Sequence, residues 1–304
     1  MSNRNLRLLI GDNPFHGISH LSQVRARERS EQNSVEQAAR LVELSLQNGA
    51  DGFMFSVDET TLSILAKLRQ KGSDLGSLYA IAPYAYEYVR KATQGGVASL
   101  ASNFARELLF SSNIKVVASN AAKILKFDLV ALLETYVAYE LSRIKAVTDK
   151  KSALNVFMLH EIITDMALAL NMEKLCKGYI NFLEDNNVKA GFETRNFPYL
   201  VNKFSEWGLD FSRLTLTSSF NKVGFQMCPS QCECEEALER AQDAEVIAMS
   251  VLAAGYLKPA EAIGYLANLR GISGVVIGVS KERHATETFH VFRGDMREPV
   301  YVGA

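Results

Sequence analysis

The sequence predicts an α/β fold in which eight parallel strands alternate with helices and close into a barrel. Two observations carry this prediction. Short runs that stay apolar without alternating recur along the chain, as buried parallel strands do. Each run is followed by a helix-like segment. Eight such units follow one another along the chain, and this repetition is typical of a (β/α)8, or TIM, barrel.

The predicted strands are short and end where polar residues or glycine begin. They are Leu6–Ile10, Phe53–Ser56, Leu78–Ala82, Leu154–Leu159, Val188–Phe192, Leu214–Thr217, Val246–Ser250 and Val275–Gly278. In such a barrel the loops at the C-terminal strand ends build the active site, so the residues after each strand are the candidates for chemistry. An open doubly wound sheet would instead carry a glycine-rich dinucleotide fingerprint after strand one, where this chain reads Gly11-Asp12-Asn13-Pro14.

Helices are predicted between the strands from the spacing of apolar residues. Val35–Asn48 and Thr60–Lys71 follow strands one and two. Between Pro83 and Lys151 the chain is longer than one crossover helix needs. We therefore expect extra helices inserted after strand three, at Tyr84–Lys91, at Leu100–Phe110 and near Asp128–Val147.

Composition indicates one domain over residues 1–304, because 304 residues with 48% hydrophobic content match a single barrel. The net charge is −1 and no basic stripe is present, so no nucleic-acid partner is expected. No apolar stretch approaches the roughly 20 residues that span a bilayer, and the first residues lack a signal-like apolar segment. We expect a cytoplasmic protein with no membrane partner, whose oligomeric state the sequence leaves open.

The cysteines and histidines do not predict a metal site. Cys228, Cys232 and Cys234 crowd into seven residues, but their spacing matches no zinc pattern. We interpret them as unligated thiols in a loop and in the first turn of a helix at Glu233–Ala241, and Cys176 as a small core residue. The five histidines show no His-x-His after strand one, and His284 and His290 are six apart on one helix, so these two do not share a face at ligand spacing.

Polar residues follow strands five to eight in a recognisable order. The motifs are Glu193-Thr194-Arg195-Asn196-Phe197, Ser219-Phe220-Asn221, Ser250-Val251-Leu252-Ala253-Ala254-Gly255 and Gly278-Val279-Ser280-Lys281. Together with His160 after strand four, this order resembles the aldo-keto reductase superfamily of barrels over roughly residues 154–293. The resemblance implies an oxidoreductase that uses a nicotinamide nucleotide, with NADPH as the expected cofactor. It also implies that the loop after strand eight holds a nucleotide phosphate.

The first half of the chain departs from that family. The family has an Asp ending strand two, a proton-donating Tyr after it, a Lys ending strand three and a His ending strand four. Here Ser56 stands near the Asp position with Asp58 close by, no Tyr follows before strand three, and Tyr84 follows strand three where no Lys occurs. Only His160 matches its position. A carbonyl reductase without a proton donor would lose about 10²–10⁴-fold in rate.

Three residues are the catalytic candidates. His16 follows strand one, where a proton carrier with a pKa near neutrality is useful, or it only caps its loop. His160 is favoured over Glu161 by the resemblance, with a packed rim histidine as the alternative and Glu161 as a helix-starting carboxylate. Glu193 is a candidate general base, and Arg195 a carboxylate or phosphate clamp, unless the two pair with each other or with neighbours.

The remaining candidates would bind substrate or cofactor. We expect a substrate to contact residues after strands one, two, three, five and six: Asn13, Ser56, Asp58, Tyr84, Arg195 and Asn221. A nucleotide phosphate or another small anionic ligand would lie at the loops after strands seven and eight, near Ser250, Gly255, Gly278, Ser280 and Lys281. Two structural alternatives concern helix starts: Asn196 caps the helix beginning at Phe197-Pro198, and Ser280 caps the last helix.

The sequence therefore predicts first a divergent aldo-keto-reductase-like enzyme acting on a small metabolite, phosphorylated or not. A second hypothesis keeps the barrel without redox chemistry: a lyase or isomerase on a phosphorylated small molecule, with His16 or Glu193 as the base. A third is a ligand-binding barrel without turnover. Nicotinamide binding separates the first hypothesis from the second.

Overall fold

The computed structural model describes residues 6–16, 34–83, 128–149 and 154–295. Eight parallel strands pair in sequence order, and β8 pairs with β1 to close the barrel. The strands are β1 Arg7–Gly11, β2 Gly52–Ser56, β3 Ser77–Ala82, β4 Leu154–Leu159, β5 Lys189–Glu193, β6 Leu214–Ser219, β7 Glu245–Met249 and β8 Ile272–Gly278. The predicted (β/α)8 barrel is confirmed, with strand limits within three residues of those expected.

Helices follow the strands along the described part of the chain. They are α1 Val35–Gln47, α2 Glu59–Gln70, α3 Leu129–Val147, α4 Glu161–Ala169, α5 Glu173–Asp185, α6 Phe197–Glu206, α7 Gln231–Arg240, α8 Pro259–Asn268 and α9 Glu282–Asp295. The long helix expected before strand four is α3. The expected helices at Tyr84–Lys91 and Leu100–Phe110 lie outside the described residues, and the single domain over 1–304 stays a prediction. Two helices, α4 and α5, follow β4. No helix in the described ranges is long and apolar enough to cross a membrane.

Alternation along the strands divides the apolar residues into two separate clusters. The larger cluster packs between strands and helices and includes Leu216 and Phe220. The smaller cluster fills the barrel interior and contains Leu9, Met54, Tyr79, Ile81, Val156, Met158 and Ile247. Because side chains alternate, every second residue of each strand faces the barrel axis. The inward series of β4 is Val156 and Met158, so His160 is the next inward position.

A polar network closes the N-terminal end of the barrel around the carboxylate of Glu245. Its Oε1 accepts hydrogen bonds from Tyr79 at 2.6 Å and from Arg7 at 3.1 Å. Its Oε2 accepts from Thr215 at 2.9 Å and from Lys189 at 3.3 Å. Burial opposes ionisation, but these donors hold the pKa of Glu245 below its usual value. Polar residues at this end of a barrel usually serve stability.

Candidate active site

His160 and Glu193 face each other across the C-terminal mouth of the barrel. His160 directly follows β4, and Glu193 is the last residue of β5. Both continue inward series, since Val156 and Met158 precede His160, and Lys189 and Gly191 precede Glu193. Nε2 of His160 lies 4.0 Å from Oε2 of Glu193. Two of the three predicted catalytic residues are thus brought together by neighbouring strands.

The carboxyl group of Glu193 is buried in a site with other carboxylates. Burial, reinforced by the charges of Glu161 and Asp12, raises the pKa of Glu193 to about 8. The backbone N–H of Glu161 donates to Oε2 of Glu193 at 3.2 Å and, together with the charge of Arg195, opposes that rise. Glu193 is therefore protonated at neutral pH, yet a donor at the start of α4 is in place to stabilise its carboxylate.

His160 has a structural role as well as a position in the mouth. Its Nδ1 accepts a hydrogen bond from the backbone N–H of Ile162 at 3.3 Å, so His160 caps α4. Burial lowers the pKa of His160, with the Glu161 charge opposing the shift. Since Nδ1 accepts, the neutral ring carries its proton on Nε2, the nitrogen that faces Glu193. His160 therefore caps α4 with Nδ1 and presents a hydrogen-bond donor, Nε2–H, to the barrel mouth.

Arg195 is held at the rim by an ion pair and a loop anchored on α4. Its Nε lies 2.5 Å from Oε2 of Glu161, and its side chain is 38% exposed. The Asp165 carboxylate accepts from the Thr194 hydroxyl at 2.5 Å and from the Arg195 backbone N–H at 3.1 Å. Arg195 therefore pairs with a neighbour, Glu161, which was one of the alternatives. The terminal nitrogens of its guanidinium are the groups that could bind a ligand.

His16 lies between two buried carboxylates rather than only capping its loop. The loop after β1 forms a short 3-10 helix, Asn13–His16. Nε2 of His16 lies 3.1 Å from Oδ2 of Asp12, and Nδ1 lies 3.2 Å from Oδ2 of Asp58. A doubly protonated ring donates to both carboxylates at once. Burial raises the pKa of Asp58, and the charge of His16 opposes that rise.

The same carboxylates also organise the end of β2. The backbone N–H of Ser56 donates to Oδ2 of Asp12 at 2.6 Å. Asp58 caps α2 by accepting from the Thr61 backbone N–H at 2.8 Å. Asp12 thus joins the loop after β1 to the loop after β2, and its charge also acts on Glu193. The predicted residues Ser56, Asp58 and His16 lie in one cluster.

The amide of Asn221 is engaged within its own loop. Its Nδ2 donates to the Phe225 carbonyl at 2.8 Å and its Oδ1 accepts from the Phe225 N–H at 2.8 Å. The side chain is buried and holds the loop after β6 closed. Asn196 likewise has a structural role, because Oδ1 accepts from the Tyr199 N–H at 3.1 Å and caps α6 as expected.

The loop after β7 has a bent backbone. Ser250, Ala253 and Ala254 all have positive φ, at 55°, 45° and 58°, and the Ser250 hydroxyl lies 3.4 Å from Oε1 of Gln226. Gly255 has a φ of 90°, which disfavours any side chain there. Left-handed non-glycine residues of this kind often cluster at functional sites.

The predicted anion site lies where β8 meets α9 and the loop after β1. A Cβ on Gly278 would stand 3.0 Å from Cδ and Cγ of Pro14, so the Asn13–His16 turn packs against this glycine. Helix α9 begins at Glu282, and the Lys281 carbonyl accepts from the Ala285 N–H. A cap at Ser280 would start α9 at Lys281, one residue before the observed first residue, Glu282. Lys281 is exposed and has no ion pair within the described ranges.

Three site residues were not singled out from the sequence: Asp12, Asp165 and Ser219. Asp12 lies in the loop after β1 and Asp165 lies within α4, and only tertiary contacts show that they hold His16 and Arg195. Ser219 ends β6 with a buried hydroxyl that has no hydrogen-bond partner among the described residues. Tyr84, a predicted substrate contact, lies outside the described residues. Within the described part, no group of three or more His, Cys, Asp or Glu residues could hold a metal ion, and the four cysteines are free thiols.

In enzymes built on a closed parallel barrel the active site lies at the C-terminal strand ends, which is where this chain places Glu193 and His160. Several solved structures with a similar fold are described as aldo-keto reductases. Reductase AKR11C1 from Bacillus halodurans, in its holo form, is 10% identical with a TM-score of 0.54, covering 94% of this chain and 86% of that one. MGS-M4, an aldo-keto reductase from a Medee basin deep-sea metagenome library, is 12% identical with a TM-score of 0.52, covering 96% and 86%.

PA4992 from Pseudomonas aeruginosa, assigned to the same reductases, is 10% identical with a TM-score of 0.55, covering 94% of this chain and 90% of that one. No family model matches the sequence, and no curated protein matches it. The chain therefore shares the closed (β/α)8 barrel fold of these reductases. At this level of identity the likeness concerns the fold.

Proposed function

We propose that the protein is an oxidoreductase of the aldo-keto-reductase type in which Glu193 replaces the missing tyrosine as the proton donor. The observation that carries the proposal is the buried carboxyl of Glu193, with a pKa of about 8, at 4.0 Å from Nε2 of His160. A donor in carbonyl reduction must be protonated near neutral pH and must lie at the barrel mouth. Glu193 meets both requirements without a tyrosine or lysine.

In the proposed reaction Glu193 transfers its proton to the carbonyl oxygen of the substrate as that carbon is reduced to an alcohol. The neutral His160 presents Nε2–H to the same space and orients the carbonyl oxygen. The carboxylate left on Glu193 accepts the N–H of Glu161, which limits the cost of the buried charge. A proton from solvent then restores the acid.

A nicotinamide nucleotide, when bound, supplies the hydride, and NADPH is the cofactor we propose. The chemistry of the end of β8 fits a nucleotide phosphate: the hydroxyl of Ser280 and the unpaired ammonium of Lys281 precede the N-terminus of α9. Glycine at position 278 keeps this end of β8 close to the loop after β1. The anionic ligand that we expect thus belongs at Lys281 rather than at Glu193.

Charge at the mouth favours a neutral reacting group. Five carboxylic acids lie around the ends of β1, β2, β4 and β5, and Arg195 is a permanent cation among them. The acids are Asp12, Asp58, Glu161, Asp165 and the protonated Glu193, so that the first four supply the carboxylates. An excess of carboxylates repels an anion, so we propose that the group at Glu193 is a neutral carbonyl.

Titration with NADPH and NADH, followed by nucleotide fluorescence and thermal shift, tests the proposal. A nucleotide present at a hundredfold excess over its dissociation constant stabilises the fold by about 2.7 kcal/mol. Lys281→Ala should weaken binding, whereas Lys174→Ala, an exposed lysine in the first turn of α5, should not. A screen of aldehydes and ketones with the bound nucleotide would follow. No binding of either nucleotide contradicts the oxidoreductase.

A lyase or isomerase is the second candidate, because the protein itself supplies two groups with shifted pKa values 4.0 Å apart. Such a site can move a proton at the carbon beside a carbonyl without a cofactor. Incubation with dihydroxyacetone phosphate in D2O would then incorporate deuterium, as seen by NMR. Glu193→Gln would abolish the incorporation. This result without nicotinamide binding would replace the first proposal by the second.

A further inference from the structure

The hydroxyl of Ser219 is a buried polar group without a partner at the barrel mouth. Ser219 is 1% exposed, and its Oγ makes no hydrogen bond to any residue in the described ranges. Buried hydroxyls are almost always hydrogen-bonded, because desolvation without a partner costs free energy. A hydroxyl left unpaired in a native fold therefore calls for an external partner, either a ligand oxygen or the water that a ligand would displace.

The direction of this hydroxyl follows from the alternation along β6. The two preceding inward residues bond inside the barrel: Thr215 donates to Glu245 at 2.9 Å and Thr217 contacts the sulfur of Met158 at 3.3 Å. Ser219 is the next inward position, at the C-terminal end of the strand. Its neighbour on β7 is Met249, which offers only a weak thioether acceptor. The hydroxyl therefore points into the mouth.

Ser219 lies close enough to the proposed acid to contact the same small ligand. Glu193 pairs in register with Thr217, and Ser219 follows two residues later on the same strand. Two residues of rise and one strand spacing separate the two backbones by roughly 8 Å. The inward side chains of Glu193 and Ser219 and a few ligand atoms span such a distance.

We propose that Ser219 is a specificity-determining residue that hydrogen-bonds a hydroxyl of the substrate next to the carbonyl that Glu193 protonates. This inference rests on the proposed function. The substrate class that it favours is a short hydroxylated carbonyl compound, because such a compound is neutral, as the acidic mouth requires, and satisfies Oγ of Ser219. A plain aliphatic aldehyde leaves that hydroxyl unpaired.

Four-carbon probes with and without the additional hydroxyls beside the reacting carbon test the proposal. Turnover is measured with erythrose and butanal, and binding is measured by saturation-transfer NMR with erythritol and 1-butanol. Ser219→Ala should reduce the preference for the hydroxylated member of each pair by about 3- to 10-fold, the value of one neutral hydrogen bond. Its melting temperature should be unchanged or higher, because the removed hydroxyl has no partner in the protein.

Ser218→Ala is the matched control. The Ser218 hydroxyl points away from the axis and donates to the Thr194 carbonyl at 2.9 Å, so its removal should lower stability and leave the preference unchanged. Absence of turnover with both aldehydes contradicts the oxidoreductase, while the binding arm still tests Ser219. The inference is overturned if wild type does not prefer erythritol to 1-butanol, or if Ser219→Ala weakens both probes equally.

Discussion

Nε2 of His160 lies 4.0 Å from Oε2 of Glu193, and burial shifts the pKa values of these two groups in opposite directions. The lowered pKa of His160 keeps the imidazole uncharged, and the raised pKa of Glu193 keeps the carboxyl protonated. Two uncharged groups thus face the same part of the barrel mouth: the Glu193 carboxyl carries an acidic proton, and the His160 imidazole carries an N–H that can donate a hydrogen bond. Divergent pKa values in one site often identify acid and base assignments.

Replacing Glu193 by Gln should lower kcat/KM for carbonyl reduction by about 10²–10⁴-fold, because the amide cannot donate an acidic proton. The fold should not be weakened, since Gln is neutral and nearly isosteric with the protonated acid. Steady-state kinetics and urea unfolding measure the two effects. Glu206→Gln, at the exposed end of α6, is the control that should retain full activity. Full activity of Glu193→Gln would exclude Glu193 as the donor.

The pH dependence of stability should report the buried acid. The pKa of Glu193 rises from 4.5 to about 8 on folding. Because the pKa of this acid is raised in the fold, its contribution to the free energy of unfolding is fully present below pH 4.5. That contribution is lost as the pH rises towards about 8. Urea unfolding of wild type between about pH 5 and pH 9 should show this decline. The Glu193→Gln variant should show a flatter profile, and identical profiles would argue against a raised pKa.

Two substitutions of His160 should separate its cap from its chemistry. Asn can accept the Ile162 N–H as His160 does, whereas Ala cannot. His160→Ala should therefore cost about 1 kcal/mol of unfolding free energy, and His160→Asn much less. Both variants should lose activity, because neither offers Nε2–H at the mouth. Unfolding and kinetics on the same preparations measure this, and an active His160→Asn variant would limit His160 to capping.

His16 should be essential for folding stability because it separates two buried carboxylates. His16→Gln removes the imidazole whose two nitrogens face Asp12 and Asp58, and we expect a loss of about 3–5 kcal/mol, the typical result of breaking a buried pair. Adding Asp58→Asn to that variant should restore part of the loss, since one buried charge is then removed. Urea unfolding of the single and double variants measures the coupling. Equal stability of both variants would contradict the pairing.

The strands were predictable because a buried parallel sheet requires continuous apolar runs, and eight such runs are visible in the sequence. The alternation within them also places His160 and Glu193 on the inside once the strand limits are known. Asn196 was recognisable as a helix cap from the following Phe197-Pro198. Local chemistry and periodicity therefore determine the frame of the barrel and the positions of its strand ends.

The partners of the site residues could not be predicted, because they are distant in sequence. Asp12 meets the Ser56 backbone, and Glu161 pairs with Arg195, only after the barrel closes. The same limit applies to Asn221, whose amide bonds within its loop, and to Ser219, whose missing partner is a property of the packed interior. Protonation states follow from these contacts and from burial.

The most direct test of the proposed acid is the pKa of Glu193 itself. An NMR titration of the protein labelled with ¹³C at the glutamate carboxyls, with the Glu193 signal assigned by its loss in Glu193→Gln, would measure it. The structure predicts a midpoint of about 8, so that the carboxyl is protonated at neutral pH. A midpoint near the ordinary 4.5 would mean a permanent carboxylate at the mouth and would contradict Glu193 as the proton donor.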